Sequence, residues 1–291
     1  MTMFFLRFFL LLLVTTIMST AKAQDAVFIP ADSVRVTRLL QQCKTDAPAS
    51  PMLWFGRQFV GTPYEAHTLE VGDTERLIVR LQSFDCLTFV ETVLALSLCH
   101  VNDQRTFADF CRYLQQIRYR NGIIDGYTSR LHYFTWWADE NVRHNFIVDA
   151  ADSTGTTRSA FTAMQTLRLN YMSTHPQSYI HLNGHPERIN AIRQMERRYD
   201  NTRWAYIPKS RLNATARELH EIRTGDIISL ITSRQGLDNS HVGIAYWQNG
   251  RLHLLHASSV RHRVILDTET LYDYCRRQSS LLGVRVYRLK R

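Results

Sequence analysis

Three side chains in this sequence have the types that nucleophilic acyl-transfer chemistry needs: Cys86, His241 and His256. Cys86 follows Ser83-Phe84-Asp85 and precedes Leu87-Thr88-Phe89-Val90-Glu91, where an extended run gives way to a strongly apolar helical run. The unpaired N–H groups and the dipole of a first helical turn favour a thiolate, and such positions lower a thiol pKa from ~8.5 to roughly 3.5–7.5. A lone cysteine is more often a buried, inert side chain. Two histidines far downstream shift that balance.

Gly225-Asp226 opens a β-branched run over 227–232, followed by a second run over 241–247, the pair Asn249-Gly250 and a third run from 252 to 259. This pattern predicts an antiparallel meander. Asn-Gly between two such runs sets a two-residue type I′ turn, and opposed residues then have numbers that sum to 499. In that register His256 lies opposite Gly243, diagonal to His241 and on its face, while His253 lies opposite Tyr246 on the other face. Diagonal neighbours are ~7–8 Å apart at Cα, close enough for two imidazoles to meet. A bulge in the hairpin would undo the assignment.

Other elements must position this set. Residues 87–98 are apolar at almost every helical position, so the helix behind Cys86 is buried nearly all round, capped by Asp85 or Ser83. An Asp32-Ser33 cap starts a helix through Val36, Leu39 and Leu40, and residues 77–81 read as extended. Residues 106–118 give a second amphipathic helix, and Ile189, Ile192, Met195 and Tyr199 mark another. Gly61-Thr62-Pro63-Tyr64 is a turn, and 130–137 is dense in aromatics.

Residues 1–23 carry Arg7, an apolar stretch from Phe8 to Val14 and an Ala21-Lys22-Ala23 finish, the form of a cleaved secretory signal. The apolar stretch is too short for a permanent span of ~20 residues. The expectation is an exported, soluble protein, which in a Gram-negative cell is periplasmic, with no stable membrane anchor once the signal is removed. The remaining chain, 24–291, suits a single catalytic domain, with about 130–215 as an insertion shaping a cleft. The full chain has 35 basic and 26 acidic residues, a net charge of +9 that falls to +7 when Arg7 and Lys22 leave. Export argues against nucleic acid as the partner of this basic surface and points to anionic cell-envelope material. Five cysteines are an odd number, widely spaced, without a C-x-x-C pair.

Metal chemistry finds no support in the spacing. His253 and His256 point to opposite faces of a strand, and His181 and His185 flank Asn183-Gly184 rather than sharing a helical face. No phosphate-cradling or dinucleotide glycine pattern is visible, and the expectation is no metal and no cofactor.

Gly61-Thr62-Pro63-Tyr64, Phe84-Asp85-Cys86, Gly225-Asp226, Ser240-His241-Val242-Gly243-Ile244 and His256-Ala257-Ser258-Ser259 resemble, in order, the motifs of the NlpC-type superfamily of bacterial cell-wall cysteine hydrolases. The commonest branch continues from its cysteine with Ser-Gly, whereas Leu87-Thr88 follow here. With the long insert, Arg130-Leu131-His132-Tyr133-Phe134, Ile207-Pro208-Lys209 and Gly236-Leu237-Asp238, the chain is more similar to the N-acetylmuramoyl-L-alanine amidase-like branch. The resemblance implies an α+β, papain-like fold: an antiparallel sheet packed on a central buried helix that carries the nucleophile at its N-terminus, with a helical and loop insertion. It implies Cys86, His241 and His256 as the catalytic set, and peptidoglycan or muramyl-peptide fragments, including anhydro-muramyl peptides, as substrate.

By the same resemblance Tyr64 stands beside the nucleophile and Asp85 shapes the peptide site. Arg130 and His132 are candidates to hold substrate carboxylates, and Asp238 and Ser240 are candidates from their place before His241. Three other functions fit the catalytic residue types: a γ-D-glutamyl-diamino-acid endopeptidase of the stem peptide, an acyltransferase, and a non-catalytic wall-binding module.

Overall fold

The computed structural model describes residues 26–46, 48–152 and 159–290; the expected signal segment, 1–23, lies outside the described residues. The chain forms helices α1 (Pro30–Asp46), α2 (Pro51–Arg57), α3 (Cys86–Val101), α4 (Phe107–Arg118) and α5 (Phe134–Arg143), then strands β1 (Ile147–Asp149) and β2 (Ala163–Thr166). There follow α6 (Tyr171–Thr174), α7 (Pro186–Arg198), β3 (Arg203–Pro208), β4 (Ile227–Thr232), β5 (Asn239–Gln248), β6 (Arg251–Ser258), β7 (Arg263–Thr270), α8 (Leu271–Arg276) and β8 (Leu281–Leu289). The result is a mixed α/β fold. Its antiparallel sheet runs β2-β3-β8-β4-β5-β6-β7, with β1 also paired to β8.

The meander is present as its turn chemistry demands. Asn249 and Gly250 both take positive φ, 49° and 71°, and the β5–β6 pairs from Gln248↔Arg251 to Ile244↔Leu255 keep the expected register. No register shift occurs among these pairs. One occurs on the other side of β5, where Leu230 faces His241 but Ile231 faces Asn239, so Ser240 is the extra residue. Strand β8 was not evident from the sequence, yet it pairs along all of β4 and separates it from β3. Asp226 fastens this junction: its carboxylate accepts from the Arg288 guanidinium at 2.8 and 2.7 Å.

Helix α3 is the core helix. Every residue from Thr88 to Cys99 is buried, and the helix lies across β5 and β6 with α1, α2 and α4 around it. Close approach of α2 to this layer depends on Gly56, where a Cβ would stand 2.6 Å from Leu255. Helix α1 starts at Pro30 rather than at the expected Asp32-Ser33 cap. Asp32 instead lies buried in the first turn, accepting from the Leu81 amide at 3.3 Å and from Gln82 Nε2. Proline at a first helical position has its φ preset and lacks only an N–H that would be unpaired.

Candidate functional site

The site begins with the cap of α3. The Asp85 carboxylate accepts from the Thr88 N–H at 2.7 Å while Thr88 Oγ1 accepts from the Asp85 N–H at 3.0 Å, a reciprocal capping box. This cap fixes the backbone at Cys86, the first helical residue, and directs its half-buried thiol out of the helix end. The amides of Val242, Cys86 and Leu87 point at the sulfur, so β5 runs directly past it, one residue beyond His241. Burial nevertheless pushes the thiol up to about 12, with the Asp85 carboxylate adding and the three amides opposing. Desolvation outweighs the helix terminus here and favours the neutral thiol.

His241 Nε2 lies 2.6 Å from His256 Nδ1, with the rings nearly perpendicular at 82°. Burial, and then His256, pushes His241 down to about 3, so the resting imidazole is neutral. Gly243 provides the room: a Cβ there would be 2.9 Å from His256 Cβ and 2.8 Å from Leu254 Cγ. Tyr274 of α8 stacks on His241 at 6.2 Å and meets His256 edge-on. His256 Nε2 in turn lies 3.4 Å from Asp267 Oδ2 on β7. His253 stacks on Tyr246 instead, with its Nδ1 on the carbonyls of Asp267 and Glu269.

Tyr64 reaches the thiol through two bridges: Pro63 pairs with Arg263 at the start of β7, and Tyr64 pairs with Phe84 just before the helix. Its hydroxyl is pushed up to about 12, by burial first and then by Cys86 and Asp85. Tyr64, Asp85 and Cys86 line a cavity of about 270 Å³ together with His67, Glu91, Arg118, Arg130 and His132. Arg118 and Glu91 form a buried ion pair at 2.7 Å in its wall.

Four of the expected substrate contacts thus border this cavity, and two do not. Arg130 lies there, but its guanidinium is already shared between Glu70 at 3.0 Å and Glu75 at 3.4 Å and stacks over Tyr127. His132 donates from Nε2 to the Tyr127 carbonyl at 2.9 Å, and burial followed by Arg130 pushes it down to about 3. In this arrangement burial favours the neutral ring of His132, and the Arg130 guanidinium is engaged by two carboxylates. Asp238 is buried away from the cavity, accepting from the Thr135 N–H of α5 at 2.6 Å and from the Asn239 N–H at 2.8 Å. Ser240 is the bulge residue and donates to the Leu230 carbonyl at 3.4 Å. Bulges beside a site re-aim the neighbouring side chain, here that of His241.

Asp267, Tyr274, His67 and Arg118 carried no mark in the sequence, and Glu91 figured only as part of the run that follows Cys86. Asp267 and Tyr274 belong to elements whose place depends on β6–β7 pairing, and Glu91 and Arg118 meet only when α3 and α4 pack. All five cysteines are unpaired, and all but Cys86 are buried. Among the described residues no three His, Cys, Asp or Glu side chains converge as a metal-ligand set. No helix among them is long and apolar enough to cross a membrane.

A mixed α/β protein with a helix-terminal thiol beside a sheet-borne histidine pair is the class that fold and site define. The chain belongs to the AmiA-like, N-acetylmuramoyl-L-alanine amidase-like family, whose model matches residues 54–283. A crystal structure of an N-acetylmuramoyl-L-alanine amidase from Bacteroides uniformis is similar at 36% identity and a TM-score of 0.77, covering 83% of this chain and 98% of that one. A Bacteroides fragilis protein provisionally named a xylanase is 43% identical, with a TM-score of 0.75 and coverage of 80% and 99%. A Legionella pneumophila protein at 22% identity shares the fold, with a TM-score of 0.67 and coverage of 90% and 95%. No curated protein matches the chain.

Proposed function

We propose that the protein is a papain-like, NlpC-type cysteine hydrolase that cleaves the amide joining muramic acid to L-alanine in peptidoglycan fragments, anhydro-muramyl peptides among them. The single observation that carries this is the thiol of Cys86 at the α3 N-terminus, flanked by β5 with His241 held at 2.6 Å by His256. Cys86 Sγ attacks the lactyl carbonyl carbon while its proton passes to His241 Nδ1, and the amides at the helix terminus receive the developing oxyanion. His241 then protonates the L-alanine nitrogen, the C–N bond breaks and the acyl group remains on sulfur. Water, deprotonated by His241, releases the muramic carboxylate and restores the thiol. Because thiol and imidazole both rest neutral, proton transfer accompanies attack.

The family supports an amide bond as the target. The name carried by the Bacteroides fragilis structure raises glycoside hydrolysis, which needs two free carboxyl groups flanking the scissile bond. The carboxylates lining the cavity are Asp85, bound to the α3 cap, and Glu91, bound to Arg118, which favours the amidase. The export signal, the 130–215 insertion as a cleft wall and a periplasmic site of action complete the proposal. Mass spectrometry of digested muramyl peptides tests it: release of a peptide beginning with L-alanine is expected, and L-Ala-D-Glu left on the sugar would point to the endopeptidase. Cys86→Ala is expected to abolish turnover, by at least about 10³-fold.

A further inference from the structure

We infer that Asp267 is a positioning residue that sets the tautomers of His256 and His241, so that the proton-accepting nitrogen of His241 faces Cys86. The inference rests on the cysteine-hydrolase proposal above. Its geometry is a diagonal row on one sheet face. In the β5–β6 register His256 is diagonal to His241, and in the β6–β7 register, where His256 faces Ile265, Asp267 lies two residues further on the same face. Between His253 and Leu255 the β6–β7 register shifts. That irregularity is fixed from the opposite face: the Tyr246 hydroxyl donates to the Asp267 carbonyl at 2.6 Å, and His253 Nδ1–H donates to the Asp267 and Glu269 carbonyls at 3.1 and 3.0 Å. The second histidine of the hairpin thus braces the segment that aims Asp267.

The chemistry follows from which atoms accept and which donate. Two proton arrangements satisfy the 2.6 Å contact between His241 Nε2 and His256 Nδ1. In the first, both rings carry their proton on Nε2: His256 donates to Asp267, His241 donates to His256 Nδ1, and His241 Nδ1 keeps its lone pair for the Cys86 proton. In the second, both carry it on Nδ1, which points a lone pair of His256 at the Asp267 carboxylate and leaves His241 unable to act as base. A carboxylate only accepts, so Asp267 selects the first arrangement. It also faces the positive charge that the ring pair acquires when the thiol proton arrives. The other groups around the pair are Tyr274 of α8 and, on the Asp267 side, Arg261.

Asp267→Asn gives a decisive contrast with Asp267→Ala. Asp267 Oδ1 accepts the Glu269 N–H at 3.0 Å, so an asparagine keeps its carbonyl there and turns its NH₂ towards His256 Nε2. That imposes the second arrangement, whereas alanine imposes neither. Expected are unchanged KM for both, kcat lower roughly tenfold for alanine and on the order of a hundredfold for asparagine, by analogy with tautomer inversion in a Ser-His-Asp triad. In ¹⁵N NMR spectra His256 carries its proton on Nε2 in the wild type and on Nδ1 in the asparagine variant. Iodoacetamide labelling of Cys86 gives a readout independent of substrate. If labelling slows in the order wild type, alanine, asparagine although the muramyl peptide is not cleaved, the tautomer role stands and the choice of substrate fails. If the peptide is cleaved but the three proteins turn over and label alike, or if His256 keeps its proton on Nε2 in the asparagine variant, the tautomer role is overturned and the amidase stands.

Discussion

Cys86 shows how one residue's chemistry is set by opposing local fields. Its place at the first helical position was legible from the change of pattern at Asp85-Cys86-Leu87, and the capping box is present at that point. Its protonation was not legible, because the desolvation that pushes the thiol up to about 12 comes from distant segments packed around it. Among the charges near it, Asp85 is the one that pushes the thiol higher. Asp85→Asn retains a good N-cap and removes that charge. Labelling of Cys86 by iodoacetamide at pH 8 is therefore expected to accelerate, on the order of three- to tenfold. A rate at or below that of the wild type would show that the Asp85 charge does not restrain the thiol. Asp85→Ala should in addition lower stability by about 1 kcal/mol, read from chemical denaturation.

At the scale of elements, the β5–β6 hairpin does most to assemble the site. Its register follows from a two-residue turn and an alternating pattern, both nearest-neighbour properties, which is why His256 could be separated from His253 before any tertiary contact was known. The bulge at Ser240 lies on the β4 side and was not legible, since it depends on how β4 pairs. Gly243 sits in close packing, where an added Cβ would lie 2.8 and 2.9 Å from Leu254 and His256. Gly243→Ala is expected to destabilise the protein by about 1–3 kcal/mol and to reduce turnover by moving His256 off His241. An unchanged melting temperature together with unchanged turnover would disprove the close fit.

At the scale of the molecule, segments far apart in sequence meet at the cavity. Arg130 joins Glu70 and Glu75 to Tyr127, and His181 lies 3.3 Å from Glu70. His132 packs at a tilt against Tyr127 in this group, and burial followed by Arg130 pushes it down from 6.5 to about 3. A depressed histidine contributes stability that is complete above its unfolded pKa and is lost as pH falls through the folded value. His132→Gln removes that titration. Its melting temperature relative to the wild type should therefore climb as pH drops from 6.5 towards 3, and a constant offset across that range would contradict the shift. Arg130 and His132 were candidates in the sequence to hold substrate carboxylates; packing gives the first two acidic partners and favours the neutral form of the second, which no local pattern encodes.

The sequence by itself determined what depends on neighbours along the chain: the cap and helix behind Cys86, the Asn249-Gly250 turn, and the face shared by His241 and His256. Only the tertiary structure decided the insertion of β8 between β3 and β4, the meeting of Asp267 and Tyr274 with the histidine pair, and the neutral resting state of thiol and imidazole. The physical reason is range. Turn geometry and side-chain alternation act over a few residues, whereas desolvation and through-space charge depend on which distant segments close over a group.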